Sequence, residues 1–233
     1  MQEVILLYNP KAGDTYFRFE LDEFIAVFNT AGYDTRIFRS RAKGDMAAYL
    51  LKADLSNVAA VFVAGGDGSI NEVVNGLMNC KHKVPLGVIP AGTSNDFARS
   101  LGIPSDKIRA ACNIINGESF PCDIGIANDH KYFNYVAAFG AFTEVSYQTP
   151  QELKNALGKT AYFVEALKHI AEIKVHHMKI IYDQGVIEDD FLLGLISNSE
   201  SVAGFKAYQN RDIKMDDGLL EALFIRKIKN PVE

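Results

Sequence analysis

Two short unbroken apolar runs, Val4 to Tyr8 and Ala59 to Ala64, most constrain what this chain can fold into. Each is too short for a buried helix, each ends in a glycine-bearing turn, and each is followed by a segment of helical period. That order is expected of strands covered on both faces in a parallel sheet. After the first run, Asn9-Pro10-Lys11-Ala12-Gly13 turns the chain, and Phe17, Leu21, Phe24, Ile25 and Phe28 recur at helical spacing up to Gly32. A strand over 33–39, a helix over 45–55, the strand over 59–64, a helix over 71–78 and a strand over 84–89 continue the alternation. A short helix over 96–101 and another over 105–116, with Ser105 as N-cap, complete it. Strands and helices alternating in this way predict βαβ units and a parallel sheet.

The pattern changes near Phe120. Segments 123–127, 132–136, 175–182, 186–191, 193–197 and 219–224 read as strands joined by polar turns, with one helix over 159–174. The expected organisation is an α/β nucleotide-binding domain over 1–122 followed by a β-rich domain over 123–233. Tyr135, Phe139, Phe142, Tyr147, Tyr162 and Phe163 read first as ordinary core, with the lining of an apolar pocket as the less favoured alternative.

Composition removes several classes of function. The 233 residues carry 24 Lys and Arg against 29 Asp and Glu, a net charge of -5, which argues against nucleic acid as a partner. No apolar run reaches the ~20 residues of a membrane-spanning helix, and Met1 to Tyr8 lacks the basic start of a secretory signal. Membrane contact is therefore expected to be peripheral and transient, at the inner face of the membrane, with the protein in the cytoplasm. Cys80, Cys112 and Cys122 have no metal-ligand spacing and read as packed thiols in a reducing compartment. His176 and His177 are strand neighbours facing opposite sides, so they do not share a metal.

The chemistry lies in two loops. Gly65-Gly66-Asp67-Gly68-Ser69 follows a buried strand and precedes a helix, where backbone amides can approach phosphate oxygens without an intervening Cβ and the helix N-terminus favours negative charge. Asp67 can hold Mg²⁺ directly or through water, and Ser69 offers a hydroxyl. Alone, this loop is also compatible with a tight turn bearing a solvent-facing aspartate. Pro90-Ala91-Gly92-Thr93-Ser94-Asn95-Asp96 repeats the arrangement after the next strand. Two such loops at neighbouring strand ends lie where open α/β sheets bind ligands.

Asn9 to Gly13, the run from Gly65 through Ile70-Asn71-Glu72-Val73-Val74-Asn75-Gly76, and Pro90 to Arg99 together resemble the diacylglycerol kinase catalytic-domain family. That family includes soluble bacterial lipid kinases, sphingosine kinases and ceramide kinases, and it shares the fold of NAD kinases. The resemblance implies ATP- and Mg²⁺-dependent phosphorylation of a hydroxyl on diacylglycerol or a related neutral lipid, within phospholipid biosynthesis. It implies ATP contacts from Asn9, Ser40, Gly65, Gly66, Asp67, Gly68, Ser69, Ile70, Asn71, Glu72, Gly92 and Thr93. Ser40 and Ser69 stand where the family usually has threonine. Asp67, Asp96 and Asp123 are implied as the acidic set that orders Mg²⁺ around the transferred phosphate. Lys214-Met215-Asp216-Asp217-Gly218-Leu219 resembles a structural Mg²⁺ segment, with the Asp217 carboxylate and the Lys214 and Leu219 carbonyls as ligands; an Asp-Asp-Gly turn is the alternative. The resemblance implies a continuation past the point matching Glu233 that carries an Asp-Gly-Glu general base; no such motif occurs here, so the C-terminal part of the β-rich lipid-substrate domain is expected to be missing from this chain. An NAD-kinase-like or other small-molecule kinase, or a nucleotide-binding module without activity, are the competing functions, and a homodimer is left open.

Overall fold

The computed structural model describes residues 2–13, 17–140, 174–199, 201–202, 205–206 and 213–227. They divide into two compact units, one of residues 1–135 and 198–219, the other of 136–197 and 220–233. Along the chain, residues 136–197 of the second thus interrupt the first, and the β-hairpin that follows Asp123 belongs with the first.

The first unit begins with the expected alternation: β1 (Gln2–Tyr8), α1 (Phe17–Thr30), β2 (Tyr33–Arg39), α2 (Asp45–Leu50), β3 (Val58–Gly65), α3 (Asp67–Asn79) and β4 (Leu86–Pro90). The short α4 (Asp96–Ser100), α5 (Lys107–Asn116), and a hairpin of β5 (Gly125–Ala127) and β6 (Lys131–Phe133) follow. All pairs in the main sheet are parallel, in the order β2-β1-β3-β4. The chain moves outward from β1 to β2, then returns to the other side of β1 for β3 and β4. With right-handed crossovers this reversal puts α1 on one face and α2 and α3 on the other.

The buried side chains bear this out. Val4, Leu6, Phe62, Ala64 and Ile89 cluster with Phe17, Phe24 and Phe28 of α1 and Ala111 of α5. Their sequence neighbours Ile5, Leu7, Val61, Val63 and Val88 cluster with Met46 and Leu50 of α2 and Ile70, Val73 and Leu77 of α3. Period-two alternation with both faces apolar is the reason the strand sequences read as unbroken runs. Phe28 is fully buried and its ring meets Phe62 with centroids 4.6 Å apart; truncation of such a phenylalanine costs about 3–5 kcal/mol.

Several boundaries differ from the sequence reading, among them the end of α2, at Leu50 instead of residue 55. Helix α3 begins at Asp67 rather than Asn71, because Gly66 is extended and its carbonyl already accepts from Ser69 N and Ile70 N at 2.9 and 3.1 Å. Asp106, not Ser105, caps α5, its carboxylate accepting from Arg109 N at 2.7 Å. The strand expected over 132–136 divides into β6 and β7 (Val136–Gly140), separated by Asn134 and Tyr135. The two strands expected over 186–197 form one. The helix expected over 159–174 and the aromatics Phe142, Tyr147, Tyr162 and Phe163 lie outside the described residues.

The second unit is an antiparallel sheet of β7, β8 (His176–Tyr182) and β9 (Gly185–Ser197). After β9 the chain supplies two short strands to the first unit, β10 (Ser201–Val202) and β11 (Phe205–Lys206), before β12 (Glu221–Arg226) rejoins the sheet beside β9. Along the outer face of β8 and β9, His177 faces Asp190 and Lys179 faces Glu188. His177 Nδ1 contacts Asp190 Oδ1 at 2.9 Å and its Nε2 lies 3.5 Å from Glu188 Oε1. These hydrogen bonds and charges raise the imidazole above its ordinary range, so their contribution to stability is full at acid pH and is lost as pH rises through the raised value. His177→Gln should therefore lower the thermal midpoint slightly at pH 5.5 and leave it unchanged at pH 9; an equal effect at both would show that the ion pairs contribute nothing. Among the described residues no helix is long and apolar enough to cross a membrane.

Candidate active site

The four parallel strands end in line, with Tyr8 level with Arg39 and Ala64, and Gly65 level with Pro90. The hydrogen-bond ladder runs one residue further at each junction: Ser40 N donates to Tyr8 O, Asn9 N to Ala64 O and Ala91 N to Gly65 O, each at 3.0 Å. Ser40, Asn9, Gly65 and Ala91 are therefore brought together along the carboxyl edge of the sheet. The strand order reverses between β1 and β3, and ligands of open α/β sheets bind at such a reversal.

The loops at this edge are held in backbone contact. A Cβ on Gly92 would lie 2.4 Å from Gly66 Cα, and one on Gly66 would lie 3.2 Å from Gly92 Cα. Only glycine at both positions allows this approach without displacement. Gly13 closes the third side with φ +53°, where a Cβ would be 2.3 Å from Ala91 O. Asn9 links the first turn to the glycine loop, since its Nδ2 donates to Ser69 Oγ at 3.3 Å while Lys11 N donates to its Oδ1 at 2.9 Å. Asn95, in the left-handed region at φ +51°, folds the second loop onto itself. Its side chain accepts from Gly92 N at 2.8 Å and donates to Gly92 O at 2.7 Å.

Asp67 stands in the first turn of α3 and reaches across to α4. Its two carboxylate oxygens accept from Asp96 N at 3.2 Å and Phe97 N at 3.0 Å. Burial is the largest influence on this group and pushes its pKa up, the two amides oppose that shift, and the nearby Asp96 charge adds to it. Asp96 is 1% exposed. Its carboxylate accepts from Arg99 Nη1 and from the Tyr135 hydroxyl, both at 3.0 Å. The two aspartates thus sit side by side at the meeting of the loops, where α3 and α4 both begin.

The remaining expected residues divide. Gly68 and Thr93 are exposed at the loop tips, whereas Ile70 is fully buried in the core below α3. Glu72 is directed at α2, accepting from Met46 N at 2.7 Å; Gly44, the residue preceding α2, offers no side-chain cap of its own. Asn71 has a buried Oδ1 without a hydrogen-bond partner.

Asp123 is engaged with the segment at 214–219: its Oδ2 accepts from Gly218 N and its own amide donates to Met215 O, both at 2.7 Å. Asn198 Nδ2 donates to Asp123 O and Met215 O at 2.9 and 3.2 Å, and Asn198 Oδ1 is buried without a partner. Asp217 Oδ1 accepts from Leu219 N at 3.0 Å, the geometry of an Asx turn. Cys122, beside this cluster, has its thiol pushed up to about 11 by burial and then by the Asp123 and Asp216 charges. Among the described residues no group of three or more His, Cys, Asp or Glu side chains is gathered as a metal site.

Asn75 and Tyr135 belong to this arrangement although neither was singled out for the phosphate site. Asn75 projects from α3 and brackets the backbone of Tyr132, donating to its carbonyl at 2.7 Å and accepting from its amide at 3.0 Å. Its sequence signals are its place in the run from Gly65 to Gly76 and an amide residue of modest helix propensity in the middle of a helix; neither points to Tyr132.

The family model of the diacylglycerol kinase catalytic domain matches residues 3–127, the span that builds the parallel sheet and both loops and ends with β5. The chain belongs to the diacylglycerol kinase family. Diacylglycerol kinase of Bacillus subtilis (strain 168) is 36% identical over 228 residues, covering 97% of this chain and 75% of that protein. Diacylglycerol kinase of Staphylococcus aureus (strain Newman) is 37% identical over 222 residues, covering 95% and 70%. A crystal structure of a diacylglycerol kinase from Bacillus anthracis str. Sterne aligns with a TM-score of 0.77 at 30% identity, covering 97% of this chain and 74% of that one. The doubly wound parallel sheet with a separate antiparallel sheet is therefore the architecture of this family, and the chain is a lipid kinase.

Proposed function

We propose that this diacylglycerol kinase family member transfers the γ-phosphate of ATP, with Mg²⁺, to the free hydroxyl of diacylglycerol or a closely related neutral lipid. The observation that carries the reading is the backbone contact of Gly66 with Gly92, past the ends of β3 and β4 and next to the strand-order reversal. It supports the reading because it brings the two glycine-bearing loops together with the Asp67 and Asp96 carboxylates beside them.

In the transfer the lipid hydroxyl oxygen bonds to the γ-phosphorus as the bond from that phosphorus to the β,γ-bridging oxygen breaks. The hydroxyl proton passes to a general base and ADP leaves with the bond's electrons. Little covalent work is required of the protein beyond position and charge. The backbone amides of 66–68 orient the phosphates, Asn9 fixes Ser69 beside them, and Ser40 lines the same edge from the end of β2. The oxygen donors fit a hard cation: the Asp67 carboxylate and the unpaired Asn71 Oδ1 near the phosphates, and Asp217, the unpaired Asn198 Oδ1 and the carbonyls of Lys214 and Leu219 in the second segment. Mg²⁺ held there would neutralise phosphate charge at the first place and brace the chain at the second. Because the acceptor resides in a bilayer, the proposal includes transient peripheral contact with a membrane surface.

The test is transfer of label from γ-labelled ATP to diacylglycerol, ceramide and sphingosine in mixed micelles, using the protein at its full natural length. Labelled phosphatidic acid is expected. Labelling of a soluble acceptor with no lipid product would overturn the lipid assignment.

A further inference from the structure

The hydrogen bonds around Asp67 and Asp96 close into a ring. From Asp67 on α3 the path crosses to the amides of Asp96 and Phe97 at 3.2 and 3.0 Å. The Asp96 carboxylate accepts from the Tyr135 hydroxyl at 3.0 Å. Three residues back along the chain, Tyr132 is bracketed by the Asn75 amide at 2.7 and 3.0 Å. Asn75 is on α3 again, eight residues after Asp67, about 12 Å further along the same helix. The ring therefore joins α3, α4 and the 132–135 segment, which pack together within one unit.

We propose that Asn75 is a positioning residue for phosphate transfer: by fixing the 132–135 segment to α3 it sets where the Tyr135 hydroxyl holds Asp96, and so the placement of Asp96 against Asp67. The chemistry favours asparagine here. Only an amide side chain presents one donor and one acceptor side by side, matching the carbonyl and N–H of a single backbone residue. The same Nδ2 also donates to Asn71 O at 2.8 Å, which holds the side chain against its own helix. A rigid helix between Asn75 and Asp67 makes the two contacts mechanically one object. Displacement at Tyr132 must then appear as displacement of Asp96 relative to Asp67, since packed elements rearrange as units and do not deform continuously.

This inference rests on the reading of Asp67 and Asp96 as carboxylates of the phosphate site, so its test begins with a readout that needs no catalysis. In Asn75→Ala, hydrogen exchange at the Asp96 and Phe97 amides is expected to accelerate at least about 10-fold, with the amides of Val61 to Val63 unchanged. Coupling is reciprocal, so Tyr135→Phe should accelerate exchange at the Tyr132 amide. If Asn75→Ala does not fold, Tyr135→Phe, which retains the ring and its packing, carries the same test from the opposite side. Acceleration confined to residues 131–133 in the first variant, or to residues 96–99 in the second, would overturn the proposal. In the active enzyme, each variant should lower kcat about 10-fold or more with KM for ATP within about 2-fold. Together they should lower kcat little more than either alone, because both act through Asp96. Coupled exchange with unchanged kcat would leave the ring intact and remove Asp96 from the phosphate site instead.

Discussion

Asp67→Asn is expected to reduce phosphate transfer by at least about 100-fold while raising the thermal midpoint of the protein near neutral pH. The first effect follows from loss of the negative charge at the junction of the two loops. The second follows from the cost of keeping that charge there. Burial, reinforced by the charge of Asp96 and only partly offset by the amides of Phe97 and Asp96, raises the Asp67 pKa above that of an exposed aspartate. The folded state then binds this proton more tightly than the unfolded chain does. Its charged form consequently subtracts from stability at every pH above the raised value, and that penalty disappears as pH falls through the raised value to the ordinary aspartate value, about 3.9. Asparagine resembles the protonated carboxyl in shape and charge, so the variant should escape the penalty. Thermal unfolding in metal-free buffer should show the variant ahead at pH 7.5 and level with the parent near pH 4. A variant that unfolds earlier at pH 7.5 would mean that the two amide contacts outweigh the burial. Retained transfer activity would reduce Asp67 to a cap on α4.

Substitution of the facing glycines is expected to separate folding from binding. A Cβ on Gly92 would lie 2.4 Å from Gly66 Cα, 3.0 Å from Gly66 N and 2.8 Å from Asn95 Oδ1, so two of its three neighbours are backbone that cannot swing aside. Gly92→Ala should cost about 1–3 kcal/mol, as overpacking of a rigid site does, and should weaken ADP binding beyond detection by calorimetry. Gly66→Ala meets its nearest neighbour at 3.2 Å and should cost less, whereas a Cβ on Gly68 has nothing within 4 Å. Gly68→Ala should therefore fold almost normally. If the open space at Gly68 is where phosphate oxygens approach, that variant must still lose nucleotide affinity. Urea unfolding and calorimetry on the three variants give two orderings. Agreement between them would show that the loops matter to stability alone, and disagreement at Gly68 would locate the ligand.

The strands of the first unit were legible because each must be apolar on both faces, which leaves an unbroken run that few other structures produce. Helix α3 was misplaced at its start because Gly-Asp-Gly reads as loop, although Asp67 and Gly68 are already helical and Gly66 alone supplies the extended entry. In β9 the pair Asp189-Asp190 and the length of 13 residues concealed a single strand. Its two halves pair with different neighbours, β8 first and then β7, so neither half shows one simple alternation. At the site, the residues grouped by motif were legible, and what each side chain touches was not. Glu72 lies within the most recognisable motif of the chain, yet its carboxylate faces Met46 N, 26 residues away. Asn75 and Tyr132 are 57 residues apart, and a bond between an amide side chain and a backbone leaves no periodicity for a sequence to display.

The interruption of the first unit by residues 136–197 along the chain also bears on how the molecule is made. Asp123 obtains its partners from Asn198, Met215 and Gly218, so about 75–95 further residues must leave the ribosome before that corner can close. At about 5–20 residues per second, the sheet and both glycine loops wait several seconds with this side open. Meanwhile the strands of the second unit emerge beside them, with apolar residues of their own to bury. A gene fragment ending at Tyr135 would reproduce that waiting state permanently, whereas one that joined residues 1–135 directly to 198–219 would not. Residues 136–197 are an interruption in the making of the first unit, and the time taken to translate them sets how long the nucleotide side stays unfinished.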